Sequence, residues 1–466
     1  MSHNLLFADG LFAPVASVLA SVTEPLIIIG TILLVLLFLG FCIFIHELGH
    51  LLVALWRGLY VERFSIGFGR KLWGFWRGNV EYIVSALPFG GYVALPQLEP
   101  GDNPVDRDGN PLPRVSAWDR MLTALAGPVF NVLFGFFLAT ALWVVGIERP
   151  APLESYDVYR VDKDSPEYQA GLRPGDEIIA FNGEPVPERW QTFVEKVVIG
   201  TEPVSLTVKR NGEPASITYK PKPNPDYEGL PFPFFDIQRR VVVERLNADY
   251  PPAAEAGLRA GDRIVSVNGD PVNGQRDFVK GIEGSDGKPV TITVERNGDA
   301  LTFEGVNPVQ ATTDDGETRY VIGVVLGRPK VLVHEDPWAQ FVNVLERTRD
   351  TLAAVISPDS TVSAKHMSGP VGILQMNYIM LRYQGWRQGL SFVVLVTFSL
   401  AMLNILPIPV LDGGHILFGF IESAMQRRIP PRIAYSLQTM FAVLLISFLL
   451  FVTFFDVKRG VKTWFG

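Results

Sequence analysis

The amino-acid sequence predicts a polytopic α-helical membrane protein: four transmembrane helices, a β-rich loop after the first, and two tandem α+β modules between the second and third. Three observations carry this expectation. Residues 25–56, 121–147, 389–411 and 433–455 are apolar and long enough for the ~20 helical residues that cross a bilayer. The connection between the second and third stretches repeats itself at one constant offset of 86 residues. The first stretch carries "HELGH", residues 46–50, and ionisable groups at membrane depth mark function because they are costly to keep there.

Composition agrees with a chain that mixes spans and water-facing modules. Of 466 residues 48% are apolar, yet 19% are charged, and the mean hydropathy is +0.22. A net charge of −7 argues against a nucleic-acid surface as a partner. Cys42 is the single cysteine, so no intrachain disulfide can form.

Residues 1–24 form an N-terminal extension whose apolar "LLFADGLFAPVASVLASV" suits the outer membrane surface. The first span, 25–56, is too long for a cleaved signal sequence and lacks a basic segment before it. Residues 1–56 contain no Lys or Arg, whereas Arg57, Arg63, Arg70, Lys71 and Arg77 follow at once. This asymmetry places the N-terminus outside and the loop 57–120 in the cytoplasm, against the membrane. Four spans then put 148–388 outside. Arg427, Arg428 and Arg432 agree with that orientation, and Lys458, Arg459 and Lys462 oppose it.

The repeat defines two modules, residues 155–235 and 240–328. "SPEYQAGLRPGDEIIAFNGEPV" recurs as "YPPAAEAGLRAGDRIVSVNGDPV", and "SLTVKRNGE" as "TITVERNGD". Each copy predicts a short helix, a glycine turn, a strand and Asn-Gly hairpin turns. The pattern resembles the bacterial PDZ domain, which implies binding of an extended peptide, such as a C-terminus, at a sheet edge; a β-rich spacer without ligand is the alternative. Residues 336–388 predict an amphipathic helix and a connector. Apolar positions 338, 341, 342, 345, 352 and 355 suit a helix lying on the membrane or packed on the protein.

"HELGH" fits H-E-x-x-H. His46 and His50 are four residues apart, share a helix face and can hold one metal ion, with Glu47 between them as general base. Neutral imidazoles suit zinc, and catalytic zinc commonly takes a third protein ligand. In "SLAMLNILPIPVLDGGHILFG", residues 399–419, two prolines and a Gly pair interrupt an apolar segment around Asp412. Irregular backbone at that depth must be buried in protein or line a wet cavity. Asp412 is therefore the expected third ligand, with His415 its competitor. Asp412 as a cap of the following helix is a reading that can coexist with ligation.

Together "HELGH", "NILPIPVLDGG" and the paired modules resemble the site-2 protease family of intramembrane zinc metalloproteases, from about residue 25 to the end. The resemblance implies one zinc ion per chain on His46, His50 and Asp412, with Glu47 as the catalytic base. It implies supporting or substrate-binding roles for Asn131 in "AGPVFN", Asn404 in "NILPIP", and Gly67, Gly69, Gly90 and Gly91. These glycines lie in "FSIGFG" and "YIVSALPFGGYVALP", which resemble a β segment that holds substrate extended. It also implies a bacterial inner-membrane location and single-pass membrane substrates, such as an anti-sigma factor already trimmed outside, hence envelope-stress signalling. "SGPVGI", residues 368–373, resembles a family motif of no assigned role. The extension 1–24 departs from the family pattern. Two rival functions are a membrane metal transporter, which needs neither Glu47 nor the modules, and a non-catalytic PDZ scaffold, which leaves the interrupted third span unexplained.

Overall fold

The computed structural model describes residues 9–99, 104–153, 155–200, 202–247, 249–312, 318–358 and 360–465. Outside the two repeats, its α-helices and first hairpin, in chain order, are α1 (Asp9–Trp56), β1 (Arg63–Arg77), β2 (Val80–Ala94), α2 (Ala117–Val145), α3 (Pro337–Ile356), α4 (Pro370–Ile379), α5 (Trp386–Ile405), α6 (Asp412–Met425) and α7 (Pro431–Phe465). Two compact units result. One comprises residues 1–147, 334–348 and 368–456, the other 148–333, 349–367 and 457–466.

Among the described residues, four helical stretches are long and apolar enough to cross a membrane: Leu26–Trp56, Ala117–Val145, Trp386–Ile405 and Pro431–Gly460. Their outward faces keep large apolar side chains uncovered, among them Leu33, Leu37, Leu133, Phe137, Leu450 and Phe454. A face of this kind finds its favourable solvent in lipid. The chain is thus a multi-pass membrane protein with a β-rich part. α1 has no boundary at residue 25, since the helix begins at Asp9; residues 1–8 of the expected extension lie outside the described residues. α5 ends at Ile405, short of the expected 411. Pro407 has no amide hydrogen to donate and restricts Leu406 before it, whose φ and ψ are −57° and 139°.

Helix α2 is capped by Ser116, whose side chain accepts the Asp119 amide at 3.1 Å and donates to the Asp119 carboxylate at 2.7 Å. The start of α3 packs on α2 and α5: Phe341 lies 5.3 Å from Phe136 and 5.2 Å from Phe398, ring centre to ring centre. For these turns the amphipathic face meets protein. The segment expected as a connector contains α4 and a π-turn at Met380–Gln384. The N-terminus of α4 is met by Asp456 of α7, whose carboxylate accepts the Gly369 and Gly372 amides at 2.9 and 2.8 Å. "SGPVGI" is therefore a helix start whose free amides face a buried carboxylate.

The second unit holds the two repeats. In the first, four antiparallel strands run in the order 184–185, 177–181, 204–210, 213–219, and 158–161 pairs with 235–237. In the second, the path is 299–306, 290–296, 263–267, 241–246, 324–327. Each has its own core, with Leu172, Phe193, Leu206 and Ile237 in the first and Leu258, Ile264, Ile292 and Ile322 in the second. Identical polar devices fix both. Arg210 forks onto Asp176 with two bonds of 2.7 Å and reaches the Gly171 carbonyl at 2.7 Å. Arg296 does the same to Asp262 at 2.6 and 2.7 Å and to the Gly257 carbonyl at 2.9 Å. Two planar groups matched in this way fix geometry as well as charge. At four of the five Asn-Gly pairs both residues have positive φ, for example 50° and 82° at Asn182-Gly183, as a tight hairpin requires; Gly274 of the fifth is extended, with φ −168°.

Candidate active site

His46 and His50 lie one turn apart on α1, both 7% exposed. Their Nε2 atoms are 3.2 Å apart. Asp412, the first residue of α6, brings Oδ2 to 3.0 Å from His46 Nε2 and Oδ1 to 3.4 Å from His50 Nε2. One ligand atom from each of the three residues falls within 4.8 Å of the others, the only such His/Cys/Asp/Glu group among the described residues.

The local sequence explains why α6 can start there. Pro407 and Pro409 end helical pairing, and the chain turns through bonds from Ile408 to Leu406 (2.7 Å) and from Leu411 to Ile408 (2.9 Å). The new helix then packs against its own approach. A Cβ at Gly413 would strike the Ile405 and Leu406 carbonyls, and one at Gly414 the Ile408 carbonyl. Leu411, not Asp412, occupies the cap position and makes no side-chain cap bond, so the Asp412 carboxylate is turned to the histidines.

Helix α2 shapes the back of the site. His50 Nδ1 is 2.7 Å from the Thr123 carbonyl. A carbonyl can only accept, so Nδ1 carries the hydrogen and Nε2 keeps its lone pair. Asn131, fully buried, places its side-chain amide 3.3 Å from His46 Nδ1. Turned with Oδ1 toward the ring, that amide would set the same tautomer in His46 and partner an oxygen that otherwise has none. Two lone pairs and a carboxylate, Oδ2 of which lacks a hydrogen-bond partner, then converge on one point. This donor set fits a cation, and its two imidazoles and one carboxylate suit zinc. Close approach of the helices depends on glycine. A Cβ at Gly127 would strike His50 Nε2, and one at Gly49 would come within 2.6 Å of the Ala126 carbonyl.

The remaining predicted residues are placed differently. Glu47 faces β2: a Cβ built at Gly91 would lie 3.3 Å from Glu47 Cγ. Gly67 and Gly69 are in β1, with φ of 86° and 89°, and Gly90 is in β2. Gly67 also has the Leu87 carbonyl where a side chain would stand. Asn404 is in the last turn of α5, outside the His–His–Asp group. His415 is also outside it and lines a small cavity with Arg120, Phe418 and Glu422. Sequence reasoning missed Thr123 and Gly127. The first acts through a carbonyl that every residue possesses; the second had a faint signal, since "AGPVFN" was already singled out.

The sequence has counterparts among known proteins. The model of the family described as Peptidase family M50 matches residues 34–448. The chain is 29% identical to the regulator of sigma-E protease RseP of Escherichia coli K12 over 444 residues, covering 89% of this chain and 96% of that one. It is 29% identical to RseP of Salmonella typhimurium 14028s over 449 residues, with the same coverage. The regulator of sigma E protease of Haemophilus influenzae is 26% identical over 441 residues, again covering 89% and 96%. A family match across this length, joined to an H-E-x-x-H helix and an aspartate from an interrupted span, has one conclusion: the chain belongs to peptidase family M50 and is a zinc metalloprotease of the site-2 type.

Proposed function

We propose that this protein is a multi-pass endopeptidase of the bacterial inner membrane, with one zinc ion held by His46, His50 and Asp412. The observation that carries the reading is the convergence of those three side chains from two helices far apart in sequence, α1 and α6, with His50 Nδ1 committed to the Thr123 carbonyl. Zinc bound there supplies Lewis-acid polarisation of the scissile carbonyl. Glu47 takes the proton of the attacking water on its carboxylate and returns it to the leaving amide nitrogen. The Gly91 stretch of β2 beside Glu47 favours an extended substrate strand laid near the base, because a helical peptide bond is shielded until it is unwound. Asn131 orients His46, and Asn404 assists from the end of α5.

The substrates are single-pass membrane proteins. Relatives named regulators of sigma-E protease favour an anti-sigma factor already cut outside, within envelope-stress signalling. The N-terminus and two PDZ modules lie outside, and the reaction occurs toward the cytoplasmic side, as the first loop's basic residues suggest. The modules exclude bulky ectodomains by their size. In the first, helix 190–199 and strand 235–237 flank a groove of about 890 Å³, which favours peptide capture as the second reading.

Purified protein tests the catalytic reading: one zinc per chain and cleavage of a model transmembrane substrate are expected, and zinc without cleavage would sink it. Replacing residues 155–328 with a flexible linker tests the filter. Cleavage of untrimmed substrate supports exclusion by size, whereas loss of cleavage for both forms supports peptide capture.

A further inference from the structure

The first turn of α2 carries two adjacent, oppositely charged residues that reach different helices. Asp119 accepts from Arg57, the residue just past the end of α1, at 2.7 Å from Nε and 2.6 Å from Nη2. Arg120 donates through Nη2 to Glu422 Oε2 on α6, with both side chains largely buried, at 13% and 9% exposure. Successive helix positions point about 100° apart, so one turn can engage two neighbours. Those neighbours are the helices that bear the ligands, His46 and His50 on α1 and Asp412 on α6.

Helix α6 needs such a link. The irregular segment 406–411 separates it from α5, so no continuous hydrogen-bond ladder sets its axial position. Glu422 also accepts the Ile429 amide at 3.0 Å through Oε1, which ties down the chain leaving α6. Close packing of Gly419 against Met121 brings α6 onto α2 beside the pair. An apolar contact at that place would hold the helices together equally well, but it would let α6 slide; a buried ion pair holds one register.

We propose that Asp119 and Arg120 are positioning residues, a charged clamp by which α2 sets the register of α1 and α6 and so the distance from Asp412 to the two histidines. The proposal rests on the reading of His46, His50 and Asp412 as zinc ligands. Its test uses the full-length protein in detergent. Zinc affinity is measured by chelator competition, together with kcat, KM and the unfolding temperature of the zinc-free form. Arg120→Glu and Glu422→Arg singly are expected to weaken zinc about 10–100-fold, the range for residues that orient metal ligands, and to lower kcat with little change in KM. The double exchange restores both. Should a reversal prevent folding, Glu422→Gln keeps the shape and Ile429 contact and is expected to lose zinc affinity in the same direction. A role in stability alone would lower the zinc-free unfolding temperature and leave the zinc affinity of the folded protein unchanged; that result, or a double exchange that restores nothing, overturns the proposal. Asp412→Ala is the control that separates the two readings. If it keeps wild-type zinc affinity, the ligand assignment fails, whatever the clamp variants do.

Discussion

Gly127 of α2 faces the imidazole of His50 so closely that a methyl group in its place would collide with Nε2 and come within 2.7 Å of Cε1. The same methyl would stand 2.8 Å from His46 Cε1. The absence of one side chain thus makes room for both rings, while the Thr123 carbonyl one turn earlier orients His50. Gly127→Ala is expected to lower zinc affinity at least about tenfold. Alanine favours helix by about 1 kcal/mol over glycine, so helix content should be preserved. Chelator competition with circular dichroism checks both halves, and unchanged zinc affinity would refute the steric account.

Glu47→Gln should keep zinc and lose cleavage. The three proposed ligand side chains are untouched, while an amide cannot take a proton from water at neutral pH. General-base loss costs roughly 10²–10⁴ in rate. Zinc content and turnover of a transmembrane substrate measure this, and near-normal turnover would remove Glu47 from the chemistry.

Asp412 and His415 are three residues apart on α6, but only Asp412 meets the histidines. Asp412→Ala is expected to release zinc and abolish activity. His415→Ala should retain most of the metal, because its ring lines a separate cavity with Arg120 and Glu422. Metal analysis of the two purified variants decides between them; the opposite pattern would hand the ligand role to His415.

Glu167 offers a pH test in the first module, outside the membrane-spanning segments. It is buried, at 2% exposure; its Oε1 accepts a 3.3 Å bond from the Phe234 amide, while Oε2 has no hydrogen-bond partner. Burial pushes its carboxyl up, opposed in part by its own backbone amide, the Phe234 amide, the Ser165 side chain and the Lys222 charge. A raised acid pKa means that the folded module binds the proton more tightly than the unfolded chain. Stability from this group is therefore full below the ordinary glutamate value of about 4.3 and declines as pH rises through the folded value. Glu167→Gln should raise the module's unfolding temperature at pH 7 by roughly 4–8 °C per kcal/mol relieved. It should also flatten the pH dependence. A lower unfolding temperature at pH 7 would show that the ionised form is stabilised by partners.

Much of this protein is local and was legible in its residue order. Hydropathy marked four apolar stretches because lipid demands long apolar helices. Four-residue spacing put His46 and His50 on one face because a helix turns every 3.6 residues. Two prolines and two glycines announced that the chain before Asp412 leaves helix, which led to the third candidate ligand. Asn-Gly pairs announced the hairpin turns, since both residues must adopt positive φ. The rest arises between distant segments. Thr123 meets His50 across 73 residues, and Arg120 meets Glu422 across 302. Neither pairing follows from residue type: one partner is a bare carbonyl, and the other arginine had many carboxylates to choose from. Helix packing alone selected them, by bringing α1 and α6 against the same end of α2.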